Sequence, residues 1–141
     1  MSEENVEVVR SIFAAWERGD FRSADWAHPE ISFVVADGPT PGGWTGVAEM
    51  AEAWREMLSA FEELRSEADE YRALDEERVL VLVHFRGRGK TSGMEVGDIQ
   101  MKGANVFHVR GGKVTRLVLY WDRERALADL GLSERDVQAD F

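Results

Sequence analysis

Proton transfer is the chemistry for which this chain offers suitable side chains. The sequence contains no cysteine, and no serine sits in the glycine-flanked strand-to-helix turn of a hydrolase nucleophile. His28, His84 and His108 fall on separate predicted elements, with no carboxylate or second histidine at a spacing typical of zinc ligands. We therefore expect neither a metal nor a cofactor, and look for function among the remaining polar groups.

Two polar residues stand out by their surroundings. Asp37 begins a turn-rich segment, 37–43, between a hydrophobic strand and Trp44, where an aspartate often caps its own backbone. Asn105 lies within an otherwise apolar strand, where an unpaired amide costs about 1 to 3 kcal/mol. Its partner is either a neighbouring backbone group or a ligand, and the sequence leaves both open.

The first half of the chain is predicted to be mostly helical. Apolar residues recur every three or four positions in a first helix that ends at Gly19, and Asp20 begins a second short helix that His28-Pro29 ends. Residues 31–35 form a first strand, and residues 37–43 an ordered loop. A third helix covers about 47–61.

The second half is predicted to be strand up to Trp121, in four runs that cover 64–74, 78–88, 95–109 and 114–121. Gly111-Gly112 supplies the positive φ angles of a tight hairpin. Asp122 then caps a short helix that a glycine closes. Helices followed by an antiparallel meander predict an α+β domain.

Length and charge restrict the classes of function. We expect one domain, 1–141, because 141 residues can bury a sufficient core without disulfide bonds. A net charge of −10 and scattered basic residues disfavour nucleic acid and anionic membranes. No apolar run is long enough to cross a bilayer, and the N-terminus is acidic. A cytoplasmic protein is the expectation.

Three motifs carry a resemblance to a known superfamily. They are Ala15-Trp16-Glu17-Arg18-Gly19-Asp20, Trp44-Thr45-Gly46 and Gly111-Gly112-Lys113-Val114. With this order of elements the chain resembles the nuclear-transport-factor-2-like superfamily, and within it SnoaL-like and ketosteroid-isomerase-like proteins. The resemblance implies a cone-shaped barrel of a strongly curved, mostly antiparallel sheet packed against three N-terminal helices, with a short C-terminal helix, around an apolar pocket.

Strand alternation predicts which side chains face that pocket. Val79, Val81, Val83 and Phe85 form the wholly apolar row of their strand. Matching the last hairpin to the isomerase pattern turns Met101, Gly103, Asn105, Phe107, Leu117, Leu119 and Trp121 inward. The expected ligand-binding residues are Phe13, Trp16, Val83, Phe85, Phe107, Leu119 and Trp121, although tryptophans are more often core. The opposite face is apolar enough that we expect a homodimer.

The resemblance also assigns candidate catalytic positions. The base of ketosteroid isomerases falls near Asp37 or on Val34, depending on where the extra loop residues are placed. The isomerase tyrosine corresponds to Ile12 and its protonated acid to Asn105. The aspartate of SnoaL-type cyclases corresponds to Leu119, which makes that aldol mechanism unexpected.

The retained pair favours a cofactor-independent isomerase, dehydratase or cyclase for an apolar carbonyl compound, with Asp37 as base and Asn105 as carbonyl-polarising donor. The missing positions favour a binding module for a hydrophobic small molecule, or a dimerising scaffold.

Overall fold

The computed structural model describes residues 2–18, 25–37, 41–59, 61–89 and 99–132, with side chains except those of Ser2 and of 57–59, 61–66, 86–89 and 99–101. The helices are α1 (Ser2–Glu17), α2 (Val47–Ser59) and α3 (Arg123–Asp129). The strands are β1 (Ala27–Val35), β2 (Gly42–Thr45), β3 (Phe61–Ala73), β4 (Arg78–Gly89), β5 (Ile99–Arg110) and β6 (Lys113–Tyr120).

The six strands form one mixed sheet in the order β2-β1-β6-β5-β4-β3. The meander β3 to β6 is antiparallel throughout, as predicted. β1 returns to lie parallel to β6, and β2 pairs antiparallel with β1. Because β2 and β3 are both edge strands, the sheet is open in the described part of the chain, whereas a barrel was predicted.

The predicted β5–β6 hairpin and C-terminal helix are confirmed. Gly111 and Gly112 have φ angles of 58° and 79°, which link Arg110 to Lys113 across a tight turn. The Asp122 side chain accepts a hydrogen bond from the Glu124 N–H at 3.0 Å and so caps α3. Gly131, with a φ of 71°, reverses the chain after α3.

The sequence-based prediction is wrong at two places in the first half. β1 begins at Ala27, so His28-Pro29 lies in a strand, and Asp25 and Trp26 form a turn where the end of a helix was predicted. The rest of that second helix falls on residues 19–24, outside the described residues, so two N-terminal helices are described instead of three. Residues 42–45, predicted as loop and helix start, form β2 because β1 offers them an edge to pair with.

The inner face of the sheet, turned toward α1 and α2, carries the larger apolar core. Val79, Val81, Val83 and Phe85 are at most 4% exposed and lie in this core, as strand alternation predicted. The described inner-face residues of β5, β6 and β1 join them, together with α1 and α2 side chains. These are Phe107, Leu117, Leu119, Trp121, Ile31, Phe33, Val35, Val9, Ile12, Phe13, Trp16, Met50 and Ala53.

The outer face carries a second apolar cluster that α3 covers. Leu80 and Ala104 are fully buried here, and Val106 is 3% exposed, against Ala126 and Leu127 of α3. The expected homodimer was inferred from an uncovered apolar outer face. In the described residues the same chain already covers this part of it, so a second copy would bury less apolar area than the sequence suggested.

No helix among the described residues combines the length and the apolar character needed to cross a membrane.

Candidate functional site

The inner face places Asn105 at the centre of one row of side chains. Cross-strand pairing sets Asn105 opposite Val81 on β4 and opposite Leu119 on β6. The row continues to Tyr71 on β3 and to Val35 on β1. Since residues directly opposite one another share a face, all five side chains project to the same side of the sheet.

The Asn105 amide is buried without a hydrogen-bond partner. The residue is 0% exposed, and neither its side-chain oxygen nor its nitrogen has a partner among the described residues. Its nearest cross-strand neighbours, Val81 and Leu119, are also fully buried and offer only apolar side chains. The sequence left two partners open, a backbone group or a ligand. Among the described residues, no backbone group pairs with the amide.

Gly103 lies two residues from Asn105 on the same face, and the Phe85 ring occupies the space that a side chain would fill there. A Cβ at Gly103 would lie 2.5 Å from the Phe85 ring and 2.4 Å from the Tyr120 carbonyl oxygen. The Phe85 ring also contacts Trp121, with centroids 4.9 Å apart. An aromatic surface therefore flanks the amide on this side.

A second aromatic group flanks Asn105 on the opposite side. The Phe13 ring of α1 contacts Trp16 and Phe107, with centroid separations of 4.9 and 5.9 Å. Trp16 in turn lies 5.1 Å from Trp54 of α2, which lies 5.6 Å from Phe33. Five of the expected ligand-binding residues thus belong to these two aromatic groups, Phe85 and Trp121 to one and Phe13, Trp16 and Phe107 to the other. The other two, Val83 and Leu119, are fully buried on the same face of the sheet.

Asp37 lies two residues after Val35 and four after Phe33, so strand alternation places it on the same inner face as these residues. Its carboxylate accepts two backbone hydrogen bonds. One oxygen accepts a hydrogen bond from the Trp121 N–H at 2.6 Å, and the other accepts from the Asp122 N–H at 3.2 Å. The carboxylate therefore joins the end of β1 to the β6–α3 junction. The turn that Asp37 was expected to cap falls on residues 38–40, outside the described residues. Each carboxylate oxygen keeps a further lone pair.

Asp37 and Asn105 share the inner face without touching each other. Two strand spacings and two residue rises put their Cα atoms roughly 12 Å apart. The alternative base position, Val34, packs against the outer cluster instead. Ile12 and Leu119, at the other carried-over positions, are buried in the inner core.

Residues 9–117 match the family of SnoaL-like domains. The chain belongs to this family. Because the match covers most of the molecule, the sheet and both helices against its inner face are those of a SnoaL-like domain.

Solved structures share the fold of this SnoaL-like chain over nearly its whole length. A proposed polyketide cyclase from Xanthomonas campestris is 20% identical, with a TM-score of 0.69 over 90% of this chain and 96% of its own. TerC, co-crystallized with polyporic acid, is 20% identical, with a TM-score of 0.71 over 92% and 97%.

A protein with a ketosteroid-isomerase-like fold from Catenulispora acidiphila, in complex with trimethylamine, is 17% identical, with a TM-score of 0.66 over 96% of both chains. Identities this low establish the fold alone. A comparison of the sequence with curated proteins gives no significant match.

Tyr71 is a polar group of the SnoaL-like inner face that sequence reasoning missed. It is half-buried and packs against the core, with its ring centroid 5.9 Å from that of Phe13. The Arg10 guanidinium lies over the Tyr71 ring, 4.4 Å from the ring centroid. Burial, and then the nearby Glu17 carboxylate, raise the pKa of Tyr71 above 10.0, so its hydroxyl stays protonated. Only the β3–β4 register, with a bulge near Glu70, reveals which face it occupies.

A charged cluster on the outer face was also missed. The ring nitrogens of His84 lie 2.6 Å from an Asp69 oxygen and 2.9 Å from a Glu67 oxygen. Arg123 of α3 binds Asp69 at 2.9 Å and donates to the carbonyl oxygens of Val83 and Gly103. The cluster ties α3 to the sheet. Among the described residues, no group of three or more histidines and carboxylates is placed to hold a metal ion.

Proposed function

We propose that this SnoaL-like protein binds an apolar small molecule against the inner face of the sheet, with the Asn105 amide as the polar anchor for a carbonyl group of the ligand. The observation that carries the proposal is a buried amide that has no hydrogen-bond partner among the described residues. Native proteins pair nearly all buried polar groups, and an exception requires a reason. A ligand that hydrogen-bonds to Asn105 is such a reason.

The surroundings of the amide support an apolar ligand. Val81 and Leu119 contribute aliphatic surface, and the Phe85–Trp121 pair contributes aromatic surface. Sites for small molecules are typically of this kind, with apolar walls and a few placed polar groups. Two neighbours of the same fold were crystallised with small organic molecules, namely polyporic acid and trimethylamine.

Binding of a bicyclic ketone, α-tetralone, tests the proposal. Tryptophan fluorescence reports binding, because Trp16 and Trp121 lie on the inner face. We expect Asn105→Leu to weaken binding at least fivefold, since the ketone loses its hydrogen bond. Asn5→Leu, which changes a buried asparagine that is bonded to the Glu76 carbonyl, serves as the control and should bind like the wild type. Equal affinity of all three proteins would contradict the proposal.

A catalytic function is the second candidate, and the position of Asp37 favours it. Its carboxylate follows the inward row of β1, is only half-buried, and lies across the inner face from Asn105. A carboxylate base and a carbonyl-polarising amide on one face together suit removal of a proton next to a carbonyl, the step shared by isomerases, dehydratases and cyclases.

Exchange of the α-protons of α-tetralone for deuterium, followed by NMR, tests the base directly. If Asp37 is the base, Asp37→Asn should abolish the protein-catalysed exchange. Asp122→Ala is the control, because it removes the side-chain cap of α3 next to the same junction while leaving the carboxylate of Asp37 in place. Equal loss in both variants would make Asp37 a structural residue only.

A further inference from the structure

The unpaired amide specifies more about its ligand than a carbonyl group alone. The side-chain nitrogen of Asn105 donates hydrogen bonds and the oxygen accepts them, and both atoms lack partners among the described residues. A simple ketone satisfies the nitrogen and leaves the oxygen buried and unpaired. A group that satisfies both atoms carries an acceptor and a donor side by side.

The charge of the inner face limits that group to a neutral one. Among the described residues, the buried polar or charged side chains are those of Asn5 and Asn105, so no buried arginine or lysine is present to pair with an anion. The Asp37 carboxylate at the edge of the same face would repel one. Burying an ionised group without a partner is far more costly than burying a neutral one.

The neighbouring side chains favour a flat ring as the carrier of the group. Gly103 contributes no side chain, and the Phe85 ring lies against its backbone and contacts Trp121. On the other side of the amide, Phe107 is in contact with the Phe13 ring. Flat rings stack on aromatic surfaces of this type.

We propose that the ligand of Asn105 is a flat, neutral ring compound that presents a hydrogen-bond donor next to its carbonyl, as a lactam or a hydroxy-ketone does. The two groups pair with the amide through two parallel hydrogen bonds. This inference rests on the proposed binding function and narrows its ligand class.

Two probes of nearly identical shape separate the donor from the rest of the ligand. 2-Quinolinone carries an N–H next to its carbonyl, and coumarin carries a ring oxygen in the same place. We expect the wild-type protein to bind 2-quinolinone at least fivefold more tightly than coumarin, the effect of about one hydrogen bond. In Asn105→Leu the two affinities should become equal, while Asn5→Leu should keep the difference.

The outcomes distinguish this inference from the function on which it rests. If both probes bind the wild type equally and both bind Asn105→Leu more weakly, the binding function stands and the donor–acceptor pairing is refuted. Tighter binding of 2-naphthoate than of 2-quinolinone would refute the requirement for a neutral group. If no probe binds, both proposals fail.

Discussion

Replacing Asn105 by leucine is expected to make the free protein more stable. Leucine has the same number of side-chain heavy atoms as asparagine, so it fills the site without leaving a cavity. It removes an amide that is 0% exposed and unpartnered among the described residues. A polar group that functions by binding a ligand costs stability when the ligand is absent.

The expected gain follows from two opposing effects. Relieving the buried, unpaired amide is worth about 1 to 3 kcal/mol. The wider tetrahedral leucine side chain costs up to about 1 kcal/mol in packing against Val81 and Leu119. We therefore expect the free energy of unfolding to rise by about 1 to 2 kcal/mol, which for a chain of this length raises Tm by roughly 3 to 8 °C.

Urea unfolding of the ligand-free protein, followed by tryptophan fluorescence and circular dichroism, measures this change. The matched control is Asn5→Leu, because Asn5 is also buried but donates to the Glu76 carbonyl oxygen at 2.7 Å. The control should lose about 1 kcal/mol, since it breaks a hydrogen bond that exists. The two asparagines should thus give changes of opposite sign.

Destabilisation of the Asn105→Leu protein by more than 1 kcal/mol would refute the reasoning. Such a loss would mean that the amide has a hydrogen-bond partner in the free protein, and that Asn105 has a structural role. The anchoring role proposed for the amide would then lose its basis.

Three further substitutions probe other parts of the sheet and its junctions. Gly103→Ala should destabilise the fold by about 2 to 4 kcal/mol in urea unfolding, because its methyl group would collide with the Phe85 ring and a β6 carbonyl; a neutral effect would contradict the close approach. Asp37→Asn should cost about 1 to 2 kcal/mol through its bonds to the Trp121 and Asp122 backbone, and an unchanged unfolding midpoint would refute that junction. Burial, and then the flanking arginines, hold the pKa of His108 below 6.5, so protonating this histidine in the folded protein costs stability. The contribution of neutral His108 to stability is therefore complete above pH 6.5 and is lost as the pH falls through the folded-state pKa. His108→Gln should remove this part of the acid dependence, and identical pH profiles of the two proteins would contradict it.

Much of the site was predictable because strand alternation is a local property of the sequence. The uniform apolar row from Val79 to Phe85 identified the inner face of β4. The resemblance to the isomerases assigned Asn105 and Leu119 to the same face, and the pairing of β5 with β4 and β6 agrees with that assignment. The observed strand pairing then gives the neighbours of the amide on both adjacent strands.

Other features could not be predicted because they depend on pairing between distant segments. β2 exists only because β1 presents a free edge to residues that otherwise have turn composition. Tyr71 reaches the row of Asn105 only through the bulged pairing of β3 with β4. Neither feature has a periodic signal within its own segment.

By itself, the sequence determined the α+β class, the glycine hairpin, the cap of α3 and the inner face of β4, because each depends on residues within a few positions of one another. Tertiary structure decided what those elements enclose. The Asp37 carboxylate meets a backbone 84 and 85 positions away, and α3 covers part of the apolar outer face from which a homodimer was expected. Contacts at such separations depend on how the whole sheet is assembled, and no local pattern encodes them.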